Sequence, residues 1–341
     1  MTNNIIFISN SVGGIKTFED ILIKFIHIKK VKCIIINNIS YKEIEKRKIE
    51  HHKIDVLKQP LNTFKILDKI KKTNKTENFT FVFSNPIIFV IYFLYIKFFY
   101  NKKKIYFFVH SHLTKKKISL YLITLLSSIL FLFTDGIYYV SQFTKKWWIQ
   151  IYFFPLFSKS TIQYNSVILP KNKKKIANKK FRLGFVGRID REKGLGVFLD
   201  IAQKNKSNYI FNVFSEHRLK LDKNQKKYIN FFYNKNKSTI YNNIDLLLVT
   251  SPIENCPFAV LEAKSYGIPT LCVLTRGGIN EIIKNNYDGI IIKSNKKITK
   301  IQKFVDKIKD NYNFFSDNSF KEAKKYSADI KIPILIKKII F

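Results

Sequence analysis

Two glutamates separated by seven residues, Glu254 and Glu262, stand between two apolar runs at 244–249 and 269–273. From Thr250 to Gly289 the chain reads TSPIENCPFAVLEAKSYGIPTLCVLTRGGINEIIKNNYDG. Strand, loop, helix, strand, glycine loop, helix is the grammar of a parallel α/β sheet. A carboxylate at the C-terminal end of such a strand can accept hydrogen bonds from vicinal hydroxyls, as α/β folds do when they hold ribose. Pro257 suits the first turn of a helix, with Asn255 or Cys256 near its cap. Glu254 then sits on the loop, and Glu262 lies within the helix behind Phe258 and Ala259. Glu262 taken alone also fits a plain surface position on an amphipathic helix.

A second constellation, Gly187-Arg188-Ile189-Asp190-Arg191-Glu192-Lys193-Gly194, follows an apolar run and opens a helix. Arg188 and Lys193 on one loop can grip a diphosphate, the arginine as a fork and the lysine as a point charge. The next helix adds its N-terminal dipole. An ordinary basic turn is the competing reading in a chain this basic. The loop is neither a Walker loop nor the dinucleotide fingerprint. Gly13-Gly14 after the first apolar run offers backbone amides to an anion, or is only a tight turn. Arg276-Gly277-Gly278 is similar in kind. His110 ends another apolar run, where it could serve as an acid, a base or a hydrogen-bond donor. No Asp-x-Asp occurs, and no metal site or bound cofactor is expected.

The elements that must position these residues alternate. Strands are expected at 4–9, 31–36, 54–57, 79–83, 105–109, 137–140 and 161–164, with helices between them. The stretch 41–52 reads as a charged helix or loop, and 86–100 and 118–133 as apolar helices buried in a core. Lys171–Lys180 is basic and aperiodic and reads as a linker. Alternation restarts at 181, with strands at 181–186, 209–214, 228–233 and 244–249. This gives a domain over 1–170, a linker over 171–180 and a second domain over 181–320. A C-terminal helix follows over 321–341, with the first domain as its expected packing partner. Each domain is α/β, Rossmann-like and doubly wound, and the two are expected to face a cleft.

Lys and Arg outnumber Asp and Glu 61 to 24, for a net charge of +37. Such a balance fits an anionic partner, whether membrane surface, phosphate or nucleic acid. Over-use of Lys, Asn, Ile and Phe also fits an AT-rich genome. Nothing reads as a nucleic-acid recognition module, and no nucleic-acid partner is expected. Three cysteines without metal spacing suit a reducing compartment. The start of the chain runs straight into a strand and lacks the basic n-region of a signal peptide. The two apolar helices fall short of the ~20 residues a membrane span needs.

GRIDREKG, the 244–270 stretch and RGGINEII…DGIII resemble the C-terminal half of retaining GT-B glycosyltransferases of family 4, marked by a Glu-x7-Glu motif. SVGGIKTFEDIL, VHSH, GIYYVSQFTKK and YNSVILP resemble that family's N-terminal segments. The resemblance implies a metal-independent transferase with a nucleotide-sugar donor, UDP-linked by preference, and a glycan or lipid-linked acceptor. Cell-surface polysaccharide or lipopolysaccharide synthesis would be its setting, at the cytoplasmic side and peripheral to an anionic membrane surface. It further implies that Arg188 and Lys193 bind diphosphate, Glu262 the ribose and Glu254 the donor sugar. Gly14 and its neighbour Gly13 would lie near the diphosphate, and His110 would be the active-site histidine. Asn255-Cys256-Pro257 stands where the family often has Gly-Phe-Gly, so donor choice is expected to reside there.

Overall fold

The computed structural model describes residues 3–10, 13–29, 31–38, 49–74, 77–110, 118–152, 160–171, 173, 180–293 and 300–340. Ser11, Val12, Ser111, His112, most of the 41–52 stretch and most of the 171–180 linker lie outside them. The chain forms two compact units, Met1–Tyr164 with Asp329–Phe341, and Asn165–Ala328.

The first unit runs β1 (Asn3–Ile8), α1 (Gly14–Ile28), β2 (Lys32–Asn37), β3 (Glu50–Lys53), α2 (Pro60–Thr73), β4 (Asn78–Phe83) and α3 (Pro86–Phe99). It continues with β5 (Lys103–Val109), α4 (Ile118–Leu130), β6 (Gly136–Tyr139), α5 (Gln142–Tyr152) and β7 (Ser160–Ile162). Its seven strands are ordered β3-β2-β1-β4-β5-β6-β7, every pair parallel. Helices cover both faces of such a sheet, so its strands read as unbroken apolar runs rather than as alternation. Ile5–Ile8 and Phe81–Phe83 are buried throughout. Phe89 of α3 is the hub of the core, with Phe83, Phe93, Phe107 and Phe131 packed around its ring.

The second unit runs β8 (Arg182–Val186), α6 (Leu195–Asn205), β9 (Ile210–Ser215), β10 (Ile229–Tyr233), α7 (Lys237–Asn242), β11 (Leu246–Val249) and α8 (Phe258–Ser265). β12 (Thr270–Val273), α9 (Ile279–Ile282), β13 (Gly289–Ile292), α10 (Ile301–Asp310) and α11 (Tyr312–Ala323) complete it. The sheet order is β10-β9-β8-β11-β12-β13, again all parallel. The last helix, α12 (Ala328–Ile340), crosses into the first unit. There its final carbonyls, which have no intrahelical partner, accept from Thr80 and Tyr106 hydroxyls and from Lys104 Nζ.

Three expectations need correction. The strand expected at 54–57 is a turn, fixed by Asp55 accepting from the backbone N–H groups of Leu57 and Lys58 at 3.1 Å. The strand itself is the polar Glu50–Lys53, an edge strand paired to β2. The helices at 86–100 and 118–133 are not buried all round. Leu94, Phe98, Leu122, Leu126 and Ile129 face solvent. The second unit begins at Asn165 rather than near 180. Asn165 is hydrogen-bonded to Cys256, and Val167 pairs with Ser327, which ties this segment to the second unit.

Candidate functional site

In a doubly wound sheet, ligands bind beyond the carboxyl ends of the strands where the order reverses. In the second unit that point lies between β8 and β11. Gly187–Gly194 leaves one of these strands and Thr250–Pro257 the other, so topology brings the two sequence constellations side by side.

The two loops are fastened together at Gly194. It adopts φ +69°, and a Cβ there would stand 2.1 Å from Thr250 O. Only glycine permits this approach and this backbone. Thr250 Oγ1 donates back to Gly194 O at 2.9 Å. The Asp190 side chain accepts from Lys193 N at 2.8 Å and shapes the turn. Lys193 Nζ is thereby placed 2.5 Å from Glu254 Oε1, which also accepts from Ser251 Oγ at 2.8 Å. The loop after β12 holds Glu254 from the other side. Glu254 N donates to Arg276 O at 2.9 Å, and Ile279 N donates to Glu254 O at 3.1 Å. Gly277, at φ +106°, leaves room where a Cβ would stand 2.4 Å from that same carbonyl. Backbone from three strand ends therefore fixes Glu254.

Arg188 is arranged differently. Its guanidinium lies 2.9 Å from Asp190 Oδ2 and 3.3 Å from Glu192 Oε2, two carboxylates of its own loop. It shares the loop with Lys193 but not the contact with Glu254.

Glu262 is almost wholly covered, and both its oxygens are engaged. Oε2 accepts from the Tyr241 hydroxyl at 2.8 Å, and Oε1 lies 2.5 Å from Lys237 Nζ. The two partners differ in kind. Tyr241 is fully buried under Tyr266, and burial beside the carboxylate pushes its phenol well above the ordinary range. The Lys237 side chain is 56% exposed. A buried donor fixes the carboxylate, whereas an exposed ammonium can exchange with water or ligand. Neither α7 residue was singled out by motif. The one signal was the Ile240-Tyr241 pair within the mostly polar KSTIYNN ahead of an apolar strand.

Two residues past Glu262 stands a fully buried ion pair, Lys264 Nζ to Asp288 Oδ2 at 2.8 Å. Lys264 also donates to Ile282 O at 2.6 Å, and Asp288 accepts from Lys284 N at 3.0 Å. Desolvation lowers the lysine pKa and raises that of the aspartate. The added hydrogen bonds let a pair survive where burial alone would neutralise it. It pins α8, and so Glu262, to the turn before β13.

The segment expected to set donor choice is held from beneath. Asn165 donates to Cys256 O at 2.7 Å, and Asn165 N approaches Cys256 Sγ at 3.3 Å. Burial raises the Cys256 thiol to about 12, so it is a packing group rather than a nucleophile. Asn255 and Phe258 are buried as well. The cap of α8 is Pro257 itself, without a side-chain cap bond, instead of Asn255 or Cys256. Ala259 contributes its carbonyl, which accepts from the Tyr241 hydroxyl at 3.3 Å.

Gly13, Gly14 and His110 belong to the first unit. Gly13 caps α1 at φ +58°, with nothing within 4 Å of where a Cβ would be. His110 follows β5, its ring 4.8 Å from that of Phe18. Burial lowers its pKa to about 3, so the imidazole is neutral at pH 7. Among the described residues no group of three or more His, Cys, Asp or Glu is placed to hold a metal ion.

The family described as Glycosyl transferases group 1 matches residues 169–327, nearly the whole second unit. The chain therefore carries a glycosyltransferase domain, the domain of an enzyme, and its two parallel-sheet units have the GT-B fold. Over 99% of both chains it superposes on Anabaena Alr3699/HepE, solved in complex with UDP, with a TM-score of 0.78 at 13% identity. The lipopolysaccharide outer core galactosyltransferase WaaB also matches over 99% of both chains, with a TM-score of 0.70 at 15% identity. A curated relative, an uncharacterized 41.2 kDa protein in the cps region of Klebsiella pneumoniae, is 24% identical over 173 residues. That alignment spans 47% of this chain and 48% of the relative.

Proposed function

We propose that the protein is a retaining glycosyltransferase that moves a sugar from a UDP-sugar onto a glycan or lipid-linked acceptor in cell-surface polysaccharide or lipopolysaccharide synthesis. The observation that carries this reading is the Lys193–Glu254 pair, built from two loops at the switch point of the second sheet. Its setting is supported by the cps-region relative and by the UDP-glucose complex of HepE.

The donor C1–O bond breaks and its electron pair leaves with the diphosphate. Lys193 and Arg188 would stabilise the growing negative charge. On binding, Lys193 exchanges Glu254 for phosphate, and Glu254 is released to accept from the sugar hydroxyls. Ribose hydroxyls would take the place of Lys237 on Glu262, while Tyr241 keeps hold of the other oxygen. The acceptor hydroxyl attacks the same face that the diphosphate leaves, and its proton passes to a departing phosphate oxygen. No enzymic nucleophile is called for. Gly13, Gly14 and neutral His110, as a hydrogen-bond donor, are assigned to the diphosphate and sugar. The reading uses lysine and arginine in place of a metal, so activity should persist in EDTA.

The test is UDP release from a panel of UDP-sugars with an undecaprenyl-linked saccharide acceptor, and the product's anomeric configuration by NMR. An α-linked product from an α-donor is expected. An inverted product would overturn retention. Donor binding without turnover would reduce the protein to a nucleotide-sugar binder.

A further inference from the structure

The segment from Glu254 to Pro257 is fastened at both ends within the second unit. At its start, Glu254 N donates to Arg276 O at 2.9 Å and Glu254 O accepts from Ile279 N at 3.1 Å. At its end, Pro257 O accepts from Val260 N at 3.2 Å and from Leu261 N at 3.3 Å. Pro257 has no N–H, and the residue before a proline is confined to extended backbone. These restraints leave open how the peptide between Asn255 and Cys256 is turned.

A residue 91 positions away supplies that restraint. Asn165 Nδ2 donates to Cys256 O at 2.7 Å, and Asn165 N approaches Cys256 Sγ at 3.3 Å. Asn165 is 6% exposed and Cys256 5%, so bulk water cannot take the place of this bond. A peptide group is planar. Holding Cys256 O therefore holds the plane between Cys256 and Pro257, and holding Glu254 O holds the plane between Glu254 and Asn255. The one peptide between them is strung from two fixed planes, and the direction in which Asn255 leaves the backbone follows from both.

Asn165 is itself a fixed post. It is the first residue of the second unit. Two positions on, Val167 N donates to Tyr326 O and Val167 O accepts from Ala328 N, each at 2.8 Å. The segment that enters the second unit is thus laced to the one that leaves it, and Asn165 projects from that lacing to Cys256.

We infer that Asn165 is a positioning residue for donor selection. Through the Cys256 carbonyl it turns the Asn255–Cys256 peptide toward the donor sugar, and it does not touch the nucleotide. A site built to hydrogen-bond a sugar hydroxyl rejects an analogue in which that hydroxyl points elsewhere, so the turn of this peptide decides between epimers. The inference rests on the donor reading of the second unit and adds to it a residue outside the charged pairs.

The test is isothermal titration of the full chain with UDP, UDP-glucose, UDP-galactose and UDP-N-acetylglucosamine, for wild type, Asn165→Ala and Asn165→Leu. Leucine fills the space of asparagine without a donor, and thermal melting verifies that each variant folds. Wild type should rank the three UDP-sugars. In both variants UDP affinity should stay within about twofold of wild type, because Lys193 and Glu262 are untouched. The spread of affinity among the three sugars should shrink by about tenfold. A purely structural bond would weaken UDP and every UDP-sugar alike, and that result in a folded variant would overturn the inference. Unchanged discrimination in both variants, or a wild type that binds the three sugars equally, would also overturn it. A wild type that binds neither UDP nor any UDP-sugar would overturn the donor reading itself, and the inference with it.

Discussion

The two sheets share strand order through their first six positions and parallel pairing throughout, yet their C-terminal edges are built in opposite ways. In the second, three strand-end loops are fastened by backbone contacts at Gly194 and Gly277 and hold Lys193 and Glu254 in an ion pair, while Glu262 on α8 pairs with Lys237 of α7. In the first, the strand-end histidine is packed against phenylalanine and kept neutral. One edge is an electrostatic device whose parts are neutralised in pairs. The other is built on hydrogen bonds among buried polar side chains, Ser9 with Asn37 and Glu19, and Ser141 with Thr144. The same topology thus carries paired charges at one edge and hydrogen-bonded polar groups at the other.

Breaking the second edge should have the largest effects. Lys264→Ala leaves Asp288 buried without its partner and should destabilise the unit by about 3–5 kcal/mol in urea unfolding. Lys264→Met with Asp288→Leu should recover most of that loss. If the single variant is as stable as wild type, the pair does not anchor α8. Lys193→Ala should leave the melting temperature near wild type and lower turnover about 10²–10³-fold. Unchanged turnover would remove Lys193 from the diphosphate role. Tyr241→Phe deletes a hydrogen bond to a charged group, a loss of about 1.5–3 kcal/mol. It should appear as a raised donor KM with kcat nearly kept. Lys237→Ala, at an exposed pair, should change donor KM by less than about fivefold. Equal effects from the two would contradict the division between a fixed and an exchangeable partner.

The first edge should answer to pH instead. His110 has a folded pKa of about 3, below its unfolded value of about 6.5. The unfolded chain therefore takes up the proton first as pH falls. Stability is fully present above about 6.5 and is lost on acidification toward 3, at up to about 1.4 kcal/mol per pH unit. His110→Asn should flatten that slope in thermal melts between pH 6.5 and 4. A slope unaltered by the substitution would show that the ring is protonated in the folded state.

Most strands were legible because burial on both faces forces continuous apolar runs such as IIFI and LLLV. β3 was not, because an edge strand with half its surface in water is written EHHK and carries no apolar signal. The exposed faces of α3 and α4 were illegible for the reverse reason. Helices apolar all round have no periodicity to say which side meets solvent. In the site, Glu254, Glu262, Arg188 and Lys193 were found by spacing between strand and helix. Lys237 and Tyr241 were missed because they reach Glu262 from α7, and only the fold brings that helix there. Lys264 was within reach of the sequence, as a lysine inside a short, mostly apolar helix. Its partner Asp288 lies in a turn 24 residues on and was not.

The return of α12 to the first unit has a consequence for the order of synthesis. A ribosome delivers all seven strands of the first sheet, then the whole second unit, and only afterwards the helix whose carbonyls receive Thr80, Tyr106 and Lys104. Until residues 329–340 emerge, that flank of the nascent sheet is uncovered, and the second unit has the opportunity to fold first. Completion of the first unit is thus timed by translation of the second, and a ribosome stalled before α12 would hold a chain with a finished second unit and an unsealed companion.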